Sequence, residues 1–162
     1  MADQQQTVFT KMVVDAWHSK TAQFDKLLSA LSDEQLMQEV APGRNRGIYL
    51  LGHLTAMAGH MVQLLGFGEN ATPHLVPLFV QTPDKTVPNL PSVAELRGEW
   101  VRVKALLDDH IAATEPGAWF ERHTSISAED FAREPHRNKL NVLLSRASHF
   151  DYHLGQLVFL KD

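Results

Sequence analysis

The chain contains no cysteine, which removes disulfide frameworks, thiolate nucleophiles, cysteine-ligated zinc and iron–sulfur clusters together. Any metal must be held through nitrogen and oxygen. Long apolar runs are missing too: no window approaches the roughly 18 apolar residues that a membrane span needs. The N-terminus, M-A-D-Q-Q-Q-T-V-F-T-K, has neither a basic start nor an apolar stretch and does not read as a secretory signal, so a cytoplasmic location is expected. Clustered basic charge is also scarce. Arg44 with Arg46 and Arg102 with Lys104 are only pairs, and the formal net charge is -4, so neither nucleic acid nor membrane is expected as a partner.

What is present is the composition of an ordinary globular protein, 44% hydrophobic and 21% charged over 162 residues. That length suits a single domain, residues 1–162, able to build its core without a partner chain.

Apolar residues recur at helical spacing in four long stretches. The first runs from about Thr7 to Leu31, with Phe9, Met12, Val13, Ala16, Trp17, Phe24, Leu27, Leu28 and Leu31 as its inward track. Ser32 then caps a short helical turn, broken at Ala41-Pro42-Gly43. The second begins near Asn45, continues to Gly66 and carries Leu50, Leu54, Met57, Met61, Leu64 and Leu65. Within it Gly52, Ala56 and Gly59 form a stripe of small residues. Each interior glycine costs a helix up to about 1 kcal/mol relative to alanine, so the stripe implies a close approach by other backbone.

From Gly66 to Pro91, five prolines and weak periodicity imply a long crossover loop, of the kind that covers functional sites. The third helix opens at Ser92 with capping-box spacing to Glu95 and runs through Trp100 and Leu107 to about Ala113. An irregular stretch follows, with either an extended piece at Thr124-Ser125-Ile126 or a brief helix opened by Ser127. Trp119 and Phe120 in it read as loop packing. The fourth helix runs from about Asn138 to Leu160, with Leu140, Leu143, Leu144, Ala147, Phe150, Leu154, Leu157 and Val158 on its apolar side. The expected fold is all-α, a four-helix bundle.

The chemistry concentrates in the last helix, in S-H-F-D-Y-H-L-G-Q-L. His149 and His153 are four residues apart, so on a helix their imidazoles share one face about 6 Å apart along the axis. With nine histidines in the chain, such a spacing is close to chance. Its position matters more, because both histidines border the apolar stripe, where either carbonyls, hydroxyls and water or one shared divalent ion would satisfy their nitrogens. His53 lies in the inward track of the second helix and offers a third ligand. His60, seven residues on and about 10 Å further along the axis, reads as a pocket wall or core histidine, and His18 as a weaker candidate. Asp151 faces away from the pair. Gln156 is placed to bond within the site or to pack.

The segment L-L-G-H-L around His53 and the terminal H-F-D-Y-H-L-G-Q-L, in this order within a helical domain of this length, resemble the DinB/YfiT-like superfamily of metalloenzymes. The resemblance implies a four-helix bundle in up-down-down-up order with a long crossover between helices 2 and 3. It implies a divalent metal, zinc or nickel, held by His53, His149 and His153. It also brings in thiol-dependent relatives, among them bacillithiol transferases and mycothiol-dependent maleylpyruvate isomerase, and so a low-molecular-weight thiol as cofactor. Arg44 and Arg46, at the start of the His53 helix where amides favour anions, are either a solvated helix start or the candidate binders of that thiol's carboxylates. The function expected is transfer of a small thiol to an electrophilic small-molecule substrate. A metal-dependent hydrolase, a non-catalytic metal- or ligand-binding bundle and a plain helical interaction protein are the alternatives. A homodimer is the default oligomer.

Overall fold

A computed structural model describes residues 2–161, and side chains from Gln4 onward. Seven α-helices are present among them: α1 (Ala2–Ala30), α2 (Asp33–Leu36), α3 (Gly47–Leu64), α4 (Val76–Phe79), α5 (Val93–Ala113), α6 (Ala128–Arg133) and α7 (Lys139–Leu157), with three 3₁₀ turns at Pro73–Leu75, Pro116–Phe120 and Val158–Leu160. The fold is all-α, as the periodicity indicates. The expectation of four helices joined by loops is too simple, because the connections themselves are partly helical. The Gly66 to Pro91 crossover holds a 3₁₀ turn and α4, where Pro73 and Pro77 sit at the first positions of each. Proline there loses no helical hydrogen bond, so a proline-rich stretch still makes short helices.

Caps fix where the elements start. Ser32 and Ser92 each form a complete capping box, with Gln35 and Glu95. Ser127 caps α6, which decides between the two readings of that stretch, and Asn138 caps α7. Helix α3 ends where Gly66 takes φ +76°, a left-handed conformation that costs glycine little. The free carbonyls ending α1 are bound by Arg97 of α5, which donates to the Leu28 oxygen at 2.6 Å and the Leu31 oxygen at 2.8 Å. That guanidinium closes α1 and ties it to α5.

Helix α1 packs on α7, and α3 packs on both α5 and α7. Their apolar faces meet in one cluster. Its centre is aromatic: Phe150 of α7 meets the edges of Trp17 and Phe24 of α1 at ring separations of 5.2 and 5.5 Å, and Phe24 meets Trp100 of α5 at 5.0 Å. Each such side chain contributes about 1.5–3 kcal/mol by leaving water. Phe9, Met12, Leu144 and Val158, expected inward, are exposed. They lie at the margins of the stripes, where periodicity alone does not separate a core position from a rim. Among the described residues no helix is long and apolar enough to cross a membrane.

The stripe of small residues on α3 admits a close approach, by backbone at Gly59 as expected but by a side-chain ring at Gly52. A Cβ on Gly52 would clash with the Phe79 ring, and one on Gly59 with Thr72. The crossover therefore lies directly on α3. A backbone bond from Ala71 N–H to the Gly59 carbonyl, 3.1 Å, holds it there.

Two glycine substitutions separate close approach from helix propensity. Gly52→Ala gains under about 1 kcal/mol of propensity but overpacks a fully buried ring, which costs about 1–3 kcal/mol. A net loss of stability is expected in chemical denaturation. Gly98→Ala on α5, where an added Cβ meets nothing within 4 Å, should stabilise by about 0.5–1 kcal/mol. A stabilised Gly52→Ala protein would contradict this account of the crossover's seat.

Candidate metal centre

Histidines from two helices converge. His53 lies on α3, and His149 and His153 on α7 one turn apart. The His149 Nε2 is 3.1 Å from the His53 Nε2 and 3.0 Å from the His153 Nε2. The potential ligand atoms of all three lie within 4.8 Å of one another. His153 is 9% exposed, and the other two are half-buried.

The outer nitrogens settle which lone pairs point inward. His53 Nδ1–H donates to the Phe79 carbonyl at 2.8 Å. A carbonyl only accepts, so in neutral His53 the Nε2 carries no hydrogen. His153 Nδ1–H donates to Gln156 Oε1 at 2.7 Å, which leaves its Nε2 bare as well. Between these two lone pairs sits the His149 Nε2. It can donate one proton to one neighbour only, and then its buried Nδ1, which has no hydrogen-bond partner, is left as an unmatched acceptor. No tautomer satisfies all three rings.

Protonation does not resolve the conflict either. Burial first, then the neighbouring histidines and the Arg146 charge, push His149 down to about 4. Burial also lowers His53, against its bond to the Phe79 carbonyl and helped by Arg146, and lowers His153 against its bond to Gln156. At neutral pH the rings are uncharged, with lone pairs facing one another.

That arrangement fits a divalent cation. Nitrogens bound tetrahedrally at the usual zinc distance are about 3.3 Å apart, so these rings would need to open by a few tenths of an ångström. The Phe79 carbonyl and Gln156 supply the outer hydrogen bonds that orient metal-binding imidazoles and fix their tautomer. Three nitrogen ligands leave at least one coordination position open, in contrast to a closed four-ligand structural site.

The other sequence candidates fall elsewhere. Arg46 is the N-cap residue of α3, and Asp84 occupies the helix N-terminus there. Its carboxylate accepts from the Arg46 backbone N–H at 2.7 Å and from the guanidinium at 2.7 Å, with a side chain only 2% exposed. Asp84 thus already fills the place expected for a cofactor carboxylate. Arg44 is exposed in the preceding turn, its carbonyl accepting from Lys85 at 2.9 Å. His18 pairs with Asp108 at 3.5 Å, Asp151 with Lys20 of α1 at 3.0 Å, and Trp119 is buried against Phe67. His60 is half-buried and lies outside the three-histidine cluster. Clefts also lie away from the histidines: one of about 510 Å³ is bordered by Met37, Arg46 and Pro91, and one of about 480 Å³ by Trp100 and Lys104.

Sequence reasoning missed two participants. The Phe79 carbonyl is backbone, and no side-chain pattern marks it. Arg146, which acts electrostatically on His53 and His149, had a readable signal in its position one turn before His149.

An all-α fold with three imidazoles converging between two helices defines a helical protein with a candidate metal centre. The model of the DinB superfamily matches residues 16–157, a span that includes all three histidines, and the chain belongs to that superfamily. A search of curated proteins finds no match to it.

Two measurements follow. The histidines sit below their unfolded value of about 6.5, so the folded metal-free protein binds fewer protons than the unfolded chain. Its stability should be full above that value and fall as pH drops toward about 4, the His149 value, by proton linkage. Denaturation midpoints flat between pH 7 and 4.5 would contradict the neutral cluster. Replacing Gln156 by Leu should weaken zinc affinity by about 10–100-fold at unchanged stoichiometry, measured by competition with a chromophoric chelator.

Proposed function

We propose that this single domain binds one divalent ion, zinc or nickel, through His53, His149 and His153, and transfers a low-molecular-weight thiol to an electrophilic small molecule. The observation that carries the reading is the set of inward lone pairs that no arrangement of protons satisfies. When bound, the ion supplies Lewis acidity that lowers the pKa of a thiol or water brought to the open position.

The chain's own residues hold the geometry. His53 is fixed by the Phe79 carbonyl and His153 by Gln156, so neither ring turns away. Burial keeps all three neutral and available at physiological pH. Thiol transfer is favoured over hydrolysis because no carboxylate joins the cluster among the described residues. A thiol, which ionises at about pH 8.5 unaided, needs less help to lose its proton than water does. With no cysteine in the chain, the sulfur must arrive on the cofactor. Arg44 is the better placed of the arginine pair to meet such a cofactor, since Asp84 already engages Arg46. The up-down-down-up order of the long helices, a cytoplasmic location and a homodimer complete the reading, with no nucleic acid or membrane as partner.

Metal analysis of chelator-stripped and reloaded protein should find about one ion per chain. Each of His53→Ala, His149→Ala and His153→Ala should lower affinity by at least tenfold. The reloaded protein should accelerate conjugation of small thiols with a chloronitrobenzene, and His149→Ala should return the rate to background. Stoichiometric metal with only background conjugation across a thiol panel would favour a non-catalytic metal-binding bundle instead.

A further inference from the structure

One charged group near the histidines has no partner. Arg146 lies on α7 one turn before His149, on the same side of the helix. It is half-buried, and its Nε is fully shielded from solvent with nothing to donate to. No ion pair or hydrogen bond engages its guanidinium among the described residues, in contrast to Arg46, which Asp84 neutralises. A partly shielded cation without a counter-ion is unfavourable in an otherwise packed protein. Its charge also reaches His53, His60 and His149, so it lies near both the three-histidine cluster and His60. Beside a cation site it is doubly unfavourable, because it repels the ion as well.

We propose that Arg146 is the receptor for the carboxylate of a small anionic substrate, which it holds beside the three-histidine cluster. A guanidinium presents two parallel donors that match a carboxylate's two oxygens, and the two terminal Nη groups of Arg146, which are not shielded as its Nε is, form that fork. A single uncompensated arginine beside neutral imidazoles balances one negative charge, which favours a carboxylate over a phosphate dianion. The bound anion relieves the unpaired guanidinium and cancels its repulsion of the ion. Metal and anion should therefore strengthen each other's binding, by the same factor in both directions. The inference rests on the proposed metal site for the substrate's orientation, and on Arg146 alone for its charge.

The test is an NMR titration of the Arg146 Nε–H resonance in metal-free and zinc-loaded protein, with sodium acetate and separately with inorganic phosphate, at constant ionic strength held by sodium chloride. Acetate should shift the resonance saturably in the metal-free protein and bind several-fold more tightly once zinc is present. Arg146→Gln should weaken acetate binding at least tenfold while the ion count stays at one. Arg146→Lys, which keeps the charge and loses the fork, should weaken it less and covers the case in which the glutamine variant fails to fold. A linear shift no larger than chloride produces, in both metal states, would overturn the proposal, and tighter binding of phosphate than of acetate would overturn the carboxylate assignment. Acetate binding without zinc binding would sink the metal reading and leave the anion site standing; zinc binding without a saturable shift would do the reverse.

Discussion

Three imidazole nitrogens face one another with at most one proton among them, and the surrounding structure is arranged to keep them so. The Phe79 carbonyl and Gln156 take the protons on the far side of two rings. Burial removes the option of adding another proton. A cluster of this kind is unfavourable in isolation. It persists because α3 and α7 are held together by a core far larger than the site, in which Phe150, between the two histidines of α7, is clamped by Trp17 and Phe24.

The crossover is the second support. Its seat on α3 depends on Gly52 and Gly59, whose missing side chains let Phe79 and Thr72 approach. Gly52 is the residue before His53, so one close approach both packs the Phe79 ring and brings its carbonyl to the His53 ring. Packing and the orientation of His53 are therefore coupled in α3. Around this neutral centre the charge is one-sided: Arg146 lacks a carboxylate, whereas Arg46 at the far end of α3 is fully matched by Asp84. The contrast marks Arg146 as the arginine that awaits a ligand.

Much of this was legible in the residues. Capping signals located the helix starts at Ser32 and Ser92, and the inward track of α3 placed His53 opposite the pair on α7. The stripe of Gly52 and Gly59 announced a close approach without saying from what. Other features were hidden for physical reasons. Phe9, Met12, Leu144 and Val158 share helical period with the core yet sit on its rim, since a stripe's edges depend on where neighbouring helices end. The helical turns within the proline-rich crossover depend on proline falling at first positions. The pairing of Arg46 with Asp84 joins residues far apart in sequence, and the carbonyl that fixes His53 belongs to the backbone of a segment whose path only the fold determines.

X-ray absorption at the zinc edge of protein stripped and reloaded with zinc tests the account most directly, because it reads the ligand atoms and not merely the presence of the ion. The account predicts three imidazoles at about 2.0–2.1 Å, visible by their outer-ring scattering, with the remaining position filled by a light atom. A first shell of oxygen alone, or one unchanged in the His149→Ala protein, would contradict the claim that these three histidines are built to share one ion.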